Sequence, residues 1–369
     1  MVRTCEIRQL DLCEQPETAE RWWREIQARR GAVRFYQEFD WVAAACRHLG
    51  DEVGDSRLFF AFENDAPRVV FWLTSGLAER RCLTYRVWRT PEHLHLPLVD
   101  LLSVDDDDLR WAIPRLMHYL AQKVDRQWRA LMFGHIPDSS ALVRMRRYVT
   151  RPVFATAMGG RGVIVLDDSW DNLRRHFPRK HRARLRKAQV KLAEMPDVEV
   201  VRIREPDALA EAYRRFLEVE CSGWKGGTGE CTAILLHKSL HDFYRDVVER
   251  FGKSGRFEIN LLLIGDQTVA GQLCLIEDRT LCILKIGYDE SYRQFSPGNI
   301  LIEHVLREAI ESNRYSEIDF ISWAPWQRDW SPQYRDRFAL TIPGKHWRGR
   351  VFGKLFQGIN WLISPSSSV

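Results

Sequence analysis

Residues 280–287 have the sequence Thr-Leu-Cys-Ile-Leu-Lys-Ile-Gly, in which apolar and β-branched residues dominate and predict a β-strand. After a polar loop, residues 297–313 have the apolar spacing of an amphipathic helix. Residues 316–321, Ser-Glu-Ile-Asp-Phe-Ile, predict a second strand. A strand, a helix and a strand in this order predict a parallel crossover unit, and therefore an α/β fold.

The start of the predicted helix has residues suited to anion binding. Ser296 is expected at the N-cap, where its hydroxyl accepts an amide of the first turn, and Pro297 at the first helical position. Gly298 leaves the backbone bare, so free N–H groups at the positive end of the helix dipole are available to a phosphate. Taken alone, these residues favour a capped helix without a ligand.

A lysine in the preceding strand favours a ligand site over a capped helix without a ligand. Lys285 lies within an apolar run, and a lysine is rarely buried without a partner. Strand alternation places Lys285, Gly287 and Asp289 on one face. The other face then carries Leu284, Ile286 and Tyr288. A lysine, a gap in side-chain bulk and the helix start predict a site for a phosphorylated cofactor.

Length and composition limit the class of protein. The 369 residues, with 45% hydrophobic and 28% charged residues, predict one large or two medium globular domains. No apolar run is long enough to span a bilayer, and residues 1–8 lack the apolar core of a signal peptide, so we expect a cytoplasmic protein. The eight cysteines form no Cys-x-x-Cys pair and no zinc spacing, so we expect no metal.

The sequence also predicts an internal repeat. A helix, a strand, a turn and a strand are predicted at residues 35–73 and again at 240–276. We interpret this as two copies of one α/β unit, with an N-terminal half at residues 1–155 and a C-terminal half at residues 156–369.

Residues 174–191 contain nine lysines and arginines, two histidines and no acidic residue. A solvated helix face is one interpretation. An anionic partner is the other, and the phosphates of a cofactor, a nucleic acid or an acidic membrane surface all fit.

Two further segments carry predictions. Residues 223–229, Gly-Trp-Lys-Gly-Gly-Thr-Gly, follow a predicted helix and lack the spacing of a P-loop. They form either a linker or, because Trp224 and Lys225 are unusual in a linker, a loop that covers a substrate. The apolar tail at residues 351–363 is expected to dock onto the domain, with peripheral membrane attachment as the alternative.

The order of these motifs resembles a known family. Phe216-Leu-Glu-Val-Glu-Cys-Ser-Gly-Trp-Lys-Gly226, Leu284-Lys-Ile-Gly-Tyr-Asp289, Phe295-Ser-Pro-Gly298 and Ile318-Asp-Phe320 are similar to GNAT-type acetyltransferases of the CelD/BioF2-like group, relatives of the FemAB peptidyltransferases. The resemblance covers roughly residues 30–350. It implies two tandem GNAT-like halves, an acyl donor that is usually acetyl-CoA, and a role in polysaccharide or cell-envelope assembly.

Two features depart from this family. Gln327 stands where the family often has a lysine after the strand that contains Asp319. The glycine-rich pyrophosphate loop of ordinary GNAT enzymes is also missing, so residues 296–298 would have to replace it.

Direct acyl transfer needs a polarised thioester carbonyl, a base for the acceptor and an acid for the leaving thiolate. Backbone amides at residues 286–288 are expected to polarise the carbonyl, with Lys285 holding substrate charge or a developing oxyanion. Tyr288 is expected either to protonate the thiolate or to be purely structural. Asp319 is a predicted base and Glu218 a rival one, whereas we interpret Glu220 as a surface residue at a helix end.

The predicted binding residues fall into two groups. The donor is expected to contact Ile286, Gly287, Ser296, Pro297, Gly298 and Asn299. The acceptor, a glycan or another sugar or amine, is expected to contact Trp224, Lys225 and Trp326.

The sequence therefore predicts an acyl-CoA-dependent N- or O-acyltransferase. A FemAB-like enzyme that uses aminoacyl-tRNA is an alternative, and the basic run at residues 174–191 fits it. A non-catalytic relative that binds an anion or a nucleic acid is the third hypothesis. The acceptor, the acyl chain and the oligomeric state stay open.

Overall fold

The computed structural model of the protein describes residues 4–80, 83–145, 153–223, 225–227 and 229–344. The chain divides into two compact units. Unit 1 contains the residues up to Gly159 and the chain from Asp336 onward, and unit 2 is Gly160–Arg335. The predicted tail at residues 351–363 lies outside the described residues.

The helices and strands follow one another in similar order in the two halves of the sequence. The helices are α1 Pro16–Arg30, α2 Phe39–Val53, α3 Leu109–Tyr119, α4 Ala141–Met145, α5 Trp170–His176, α6 Arg179–Leu192, α7 Pro206–Ser222, α8 Lys238–Lys253 and α9 Pro297–Glu311. The strands are β1 Cys5–Leu10, β2 Ser56–Glu63, β3 Ala66–Arg80, β4 Leu83–Arg89, β5 Leu102–Ser103, β6 Ala130–Pro137, β7 Phe154–Val165, β8 Val198–Ile203, β9 Phe257–Ile264, β10 Gln267–Glu277, β11 Thr280–Tyr288, β12 Glu317–Asp319 and β13 Gln333–Pro343.

The two units have the same sheet topology. In unit 1 the strand order is β1-β2-β3-β4-β6-β13, with β5 paired to β3 beside this path, and in unit 2 it is β8-β9-β10-β11-β12-β7. The fourth and fifth strands are parallel in each unit, and a helix (α3 or α9) connects them, whereas the other pairs along both orders are antiparallel. The predicted repeat and the predicted crossover unit are both present.

The sixth strand of each unit follows, along the chain, the fifth strand of the other unit. Strand β7 follows β6 along the chain but pairs with β12, through Val163 opposite Asp319. Strand β13 follows β12 but pairs with β6, through Arg337 opposite Pro137. The units therefore differ from the predicted halves at 1–155 and 156–369, because backbone pairing returns the chain from Asp336 to unit 1.

The core of unit 2 explains the positions of α6 and α9. Apolar residues of α9, among them Leu301, Val305 and Leu306, are buried with residues of β10 and β11 in one cluster. The basic run at 174–191 is two helices rather than one, since α5 ends at His176 and α6 begins after Pro178. Helix α6 buries one stripe at intervals of three or four residues, which consists of His181, Leu185, Ala188 and Leu192.

Within the described ranges, no helix combines the length and the apolar character needed to cross a bilayer.

Candidate functional site

Two neighbouring strands of unit 2 separate and leave an open strand edge. Strand β10 pairs with β11 as far as Tyr288. Strand β12 pairs with β11 only from Thr280 to Cys282. Residues 283–288 of β11 therefore have no paired strand on the β12 side among the described residues. Backbone N–H and C=O groups along such an edge are available to a ligand.

A cavity of about 330 Å³ lies beside this edge. It is lined by residues of β10 and β11, by the start of α9 and by three further segments, which contribute Lys225, Arg293 and Trp326. These residues are Lys225, Gly271, Gln272, Ile286, Gly287, Tyr288, Arg293, Ser296, Pro297, Gly298, Asn299, Ile302 and Trp326. The structure thus brings together all six predicted donor-binding residues with Tyr288, Lys225 and Trp326. A volume above 300 Å³ is typical of small-molecule sites.

The start of α9 differs from the prediction in one detail. The helix begins at Pro297, as expected, but Ser296 has a left-handed backbone conformation and its side chain makes no capping hydrogen bond. Its carbonyl oxygen instead accepts the amides of Asn299 and Ile300, at 3.0 and 3.1 Å. The left-handed φ of 49° departs from the extended conformation in which an N-cap hydroxyl meets the first turn. The Ser296 hydroxyl is therefore left for the cavity that the residue lines.

Glu220 and Lys225 form a buried ion pair at the cavity. The Lys225 ammonium lies 3.0 Å from Glu220 Oε1 and donates to the carbonyl oxygen of Ile286 at 2.8 Å. The second oxygen of Glu220 accepts the amide of Ile234 at 2.8 Å. This corrects the interpretation of Glu220 as a surface residue, since the residue is only 3% exposed. The pair fixes a cation on the strand edge.

The helix pattern contains the signal that would have identified Glu220. Tyr213, Phe216 and Leu217 form the buried stripe of α7, and Glu220 continues it three residues after Leu217. Two glycines let this stripe approach the sheet closely. A Cβ atom on Gly287 would lie 2.7 Å from the Glu220 Cα atom, and one on Gly271 would lie 2.8 Å from the Phe216 ring.

Lys285 lies on the α7–α8 side of the sheet and is not among the residues that line the cavity. Strand alternation explains this position, because it directs Lys285 to the face opposite that of Ile286 and Tyr288, which line the cavity. Its ammonium lies 5.7 Å from the centre of the Tyr244 ring. Burial and, to a smaller extent, the charge of Lys225 lower the pKa of Lys285 to about 8, while Glu220 opposes the change.

The two predicted carboxylate bases lie away from the cavity. Asp319 is 2% exposed, forms an ion pair with Arg161 and accepts the amide of Ile321 at 2.7 Å. Burial raises its pKa, and Arg161 opposes this shift. Its strand register places it opposite Cys282, below the open part of β11. The structure therefore does not support Asp319 as the base.

Glu218 points into solvent and pairs with Arg214 on the same helix. It precedes the buried Glu220 by two residues, and at about 100° per residue this directs it to the opposite side of α7. Glu218 is therefore not placed to act as a base in the cavity.

The predicted acceptor-binding residues have different outcomes. Trp224 lies outside the described residues. Trp326 lines the cavity, and its ring meets the Phe320 ring edge-on at 5.3 Å. Gln327, which replaces the family's lysine, is 2% exposed and lies against β7, where a Cβ atom on Gly162 would be 2.6 Å from its Oε1 atom.

Two polar residues that line the cavity, Arg293 and Gln272, were not predicted. Arg293, from the turn Glu290–Phe295, adds a second cation near the start of α9. Gln272 lies in the middle of β10, is 1% exposed, and its Oε1 atom has no hydrogen-bond partner. A polar residue inside an apolar strand was the signal used for Lys285, and the same signal applies to Gln272.

A second concavity, of about 360 Å³, lies on α5 and α6. Five arginines and one acidic residue line it: Arg174, Arg175, Arg179, Arg182, Arg186 and Asp171. None of these arginines forms an ion pair with a described residue. Elsewhere in unit 2 arginines are commonly paired, as Arg184 is with Asp329 and Arg204 with Glu258. This part of the basic run is therefore an uncompensated cationic surface.

A protein-family model matches part of the second half. Residues 179–327 match the family model described as an acetyltransferase (GNAT) domain. The match covers 149 residues (327 − 179 + 1), less than half of the chain, and includes every residue that lines the cavity. No curated protein matches the chain.

Solved structures show the same fold over the whole chain. A conserved protein of unknown function from Bacteroides thetaiotaomicron VPI-5482 is 12% identical, with a TM-score of 0.53, over 92% of this chain and 100% of that chain. FemX is 10% identical, with a TM-score of 0.52, over 95% of this chain and 100% of that chain. Because unit 1 repeats the topology of the GNAT-like unit 2, the fold consists of two tandem GNAT-like halves, as predicted.

Proposed function

We propose that the protein is an acyl-CoA-dependent N- or O-acyltransferase of the CelD/BioF2-like group, with acetyl-CoA as the first donor to test. The observation that carries this proposal is the cavity where β11 separates from β12, with the start of α9 on its wall. The open edge of β11 offers backbone groups to an extended thioester arm, and the helix start with Arg293 offers positive charge to phosphates.

The residues of the cavity suit the chemistry of acyl transfer. Backbone groups at residues 286–288 polarise the thioester carbonyl, the acceptor nitrogen or oxygen bonds to the acyl carbon, and the carbon–sulfur bond breaks. The Tyr288 hydroxyl gives its proton to the leaving sulfur and recovers one from solvent, which also takes the proton of the acceptor. Because the described lining residues include no carboxylate, this route gives the acceptor proton to solvent and not to a carboxylate base.

The acceptor is a sugar or an amine in polysaccharide or cell-envelope biosynthesis. The Trp326 ring at the cavity suits the apolar face of a sugar. Trp224 stays a predicted contact. Lys285 stays a predicted catalytic residue that would act from the α7–α8 side of the strand. Cytoplasmic placement and membrane contact through residues 351–363 also stay predictions.

The test is thermal unfolding with coenzyme A, acetyl-CoA and longer acyl-CoAs. A ligand at one hundred times its dissociation constant stabilises a protein by about 2.7 kcal/mol. We expect a higher Tm for the wild type and a much smaller shift for Arg293→Glu. Arg279→Glu is the matched control, because Arg279 is an exposed arginine of unit 2 that bonds to Asn313 away from the cavity. The absence of any shift in folded wild-type protein would refute the proposal.

A FemAB-like transferase that uses aminoacyl-tRNA is the second candidate, and the arginine concavity of α5 and α6 favours it. If all five arginines contact phosphates, log K should fall linearly with log salt concentration, with a slope of about −3.5 to −4.5. Arg179→Glu should weaken tRNA binding and reduce the slope, while Arg126→Glu, an equal charge change on unit 1, should not. Binding without consumption of a charged tRNA would indicate a non-catalytic relative.

A further inference from the structure

The carboxamide of Gln272 is a buried polar group without a partner among the described residues. Its side chain makes no hydrogen bond with a described residue, and its Oε1 atom is enclosed. The residue is 1% exposed and lines the cavity. Buried polar groups in folded proteins nearly always have a partner, and one that lacks a partner destabilises the fold. A ligand in the cavity can supply the missing hydrogen bond.

The position of Gln272 indicates which part of a ligand it meets. In the antiparallel register Gln272 lies directly opposite Ile286, so the two side chains share one face about 5 Å apart. The Ile286 carbonyl holds the Lys225 ammonium at 2.8 Å, at the open strand edge where the proposed donor reacts. The carboxamide is therefore next to the acyl group rather than next to the phosphates at α9.

The residues around Gln272 do not complete its hydrogen bonding. Asn260 lies opposite it on β9, but its amide nitrogen donates to Glu258 at 2.8 Å and to the sulfur of Cys274 at 3.6 Å. The nearby Lys225 ammonium is held by Glu220 and by the Ile286 carbonyl. Ile286 and Ile302 add apolar surface to the lining. An unsubstituted acyl chain would leave the carboxamide without a partner.

We propose that Gln272 is a specificity residue that hydrogen-bonds a polar substituent on the acyl group. The enzyme then transfers an acyl group that bears a hydroxyl or an amide in preference to acetyl or another plain acyl group. The bond changes are those of the proposed reaction: the acyl carbon leaves sulfur for the acceptor, and Gln272 loses no atom and moves no proton. This inference rests on the proposed acyltransferase function.

The test compares matched donors by calorimetric binding and by release of free coenzyme A. The pairs are propionyl-CoA with lactyl-CoA and butyryl-CoA with 3-hydroxybutyryl-CoA, with coenzyme A alone as the reference. One neutral hydrogen bond corresponds to a preference of about tenfold. We expect the wild type to prefer a hydroxylated donor by this factor in at least one pair. Gln272→Met should lose the preference and bind the plain donors at least as well.

Gln189→Met is the matched control, since Gln189 lies on α6 and not at the cavity. Its donor preference should equal that of the wild type. If the wild type binds all donors equally, the inference is overturned while the proposed function stands. If Gln272→Met slows every donor by one factor, the residue acts on the reacting carbonyl and the inference is likewise overturned. If no coenzyme A species binds, both are overturned.

Discussion

Replacing Lys285 by methionine should stabilise the protein at neutral pH. In the folded state, burial lowers the pKa of Lys285 from 10.5 to about 8. Each pKa unit corresponds to 1.36 kcal/mol, so the ammonium destabilises the fold by about 3 kcal/mol below pH 8. Methionine has a similar length and keeps its contact with the Tyr244 ring, but carries no charge.

The pH dependence of this effect gives the sharper test. Between pH 8 and 10.5 the unfolded lysine keeps a proton that the folded one has lost, so wild-type stability rises with pH in this window. The advantage of Lys285→Met should therefore fall from about 3 kcal/mol at pH 7 to about 1 kcal/mol at pH 9.5.

Urea unfolding of both proteins at the two pH values measures this advantage. Lys187→Met, at an exposed position on α6, is the control and should change stability little at either pH. A destabilised Lys285→Met at pH 7, or an advantage that does not change with pH, would refute the reasoning. The same variant tests the predicted catalytic role of Lys285. If Lys285 is catalytic, Lys285→Met should lose turnover although it is more stable than the wild type.

Three further variants test the contacts around the site and α6 by urea unfolding. Gly287→Ala should cost about 1–3 kcal/mol, because its methyl group would lie 2.7 Å from the backbone of Glu220, whereas Gly227→Ala, whose methyl group meets open space, should not. Lys225→Met should cost about 3 kcal/mol, because it leaves the Glu220 carboxylate buried without its cation. Adding Glu220→Gln should recover part of this loss. A double variant that loses as much stability as Lys225→Met alone would contradict the pairing. Burial lowers the pKa of His181 from 6.5 to about 4, so wild-type stability should fall by up to about 3 kcal/mol as the pH drops through this window, and His181→Gln should remove that part of the fall.

The sequence predicts local elements well and long-range register poorly. Residues 280–321 have the periodicity and the Pro297 start signal of a strand, a helix and a strand, and the structure forms all three. The six predicted donor-binding residues are adjacent in sequence, so one turn and one strand end suffice to bring them together. The position of Asp319 depends on more distant information. Asp319 is buried because β12 pairs with Cys282 and not farther along β11, and no local pattern determines that register.

Glu220, Gln272 and Arg293 were missed for different reasons. To predict that Glu220 is buried, the apolar stripe of α7 must be extended by one turn. To predict Gln272 as a site residue, a polar residue inside an apolar strand must be treated as a signal. Arg293 lies in the turn that ends at Ser296. The N-cap prediction did not include the left-handed backbone conformation of Ser296.

The exchange of sixth strands has a consequence for how the chain folds during synthesis. The edge of β6 acquires its partner only when residues 337–343 of β13 have been made. The edge of β7 lacks its partner β12 until residues 317–319 have been made. Both sheets therefore close only after residues 317–343 have been made, although their first strands are complete much earlier. An unpaired strand edge favours association with other chains, so a ribosome that stalls before residue 317 would release a chain in which the edges of β6, β7 and β11 lack these partners.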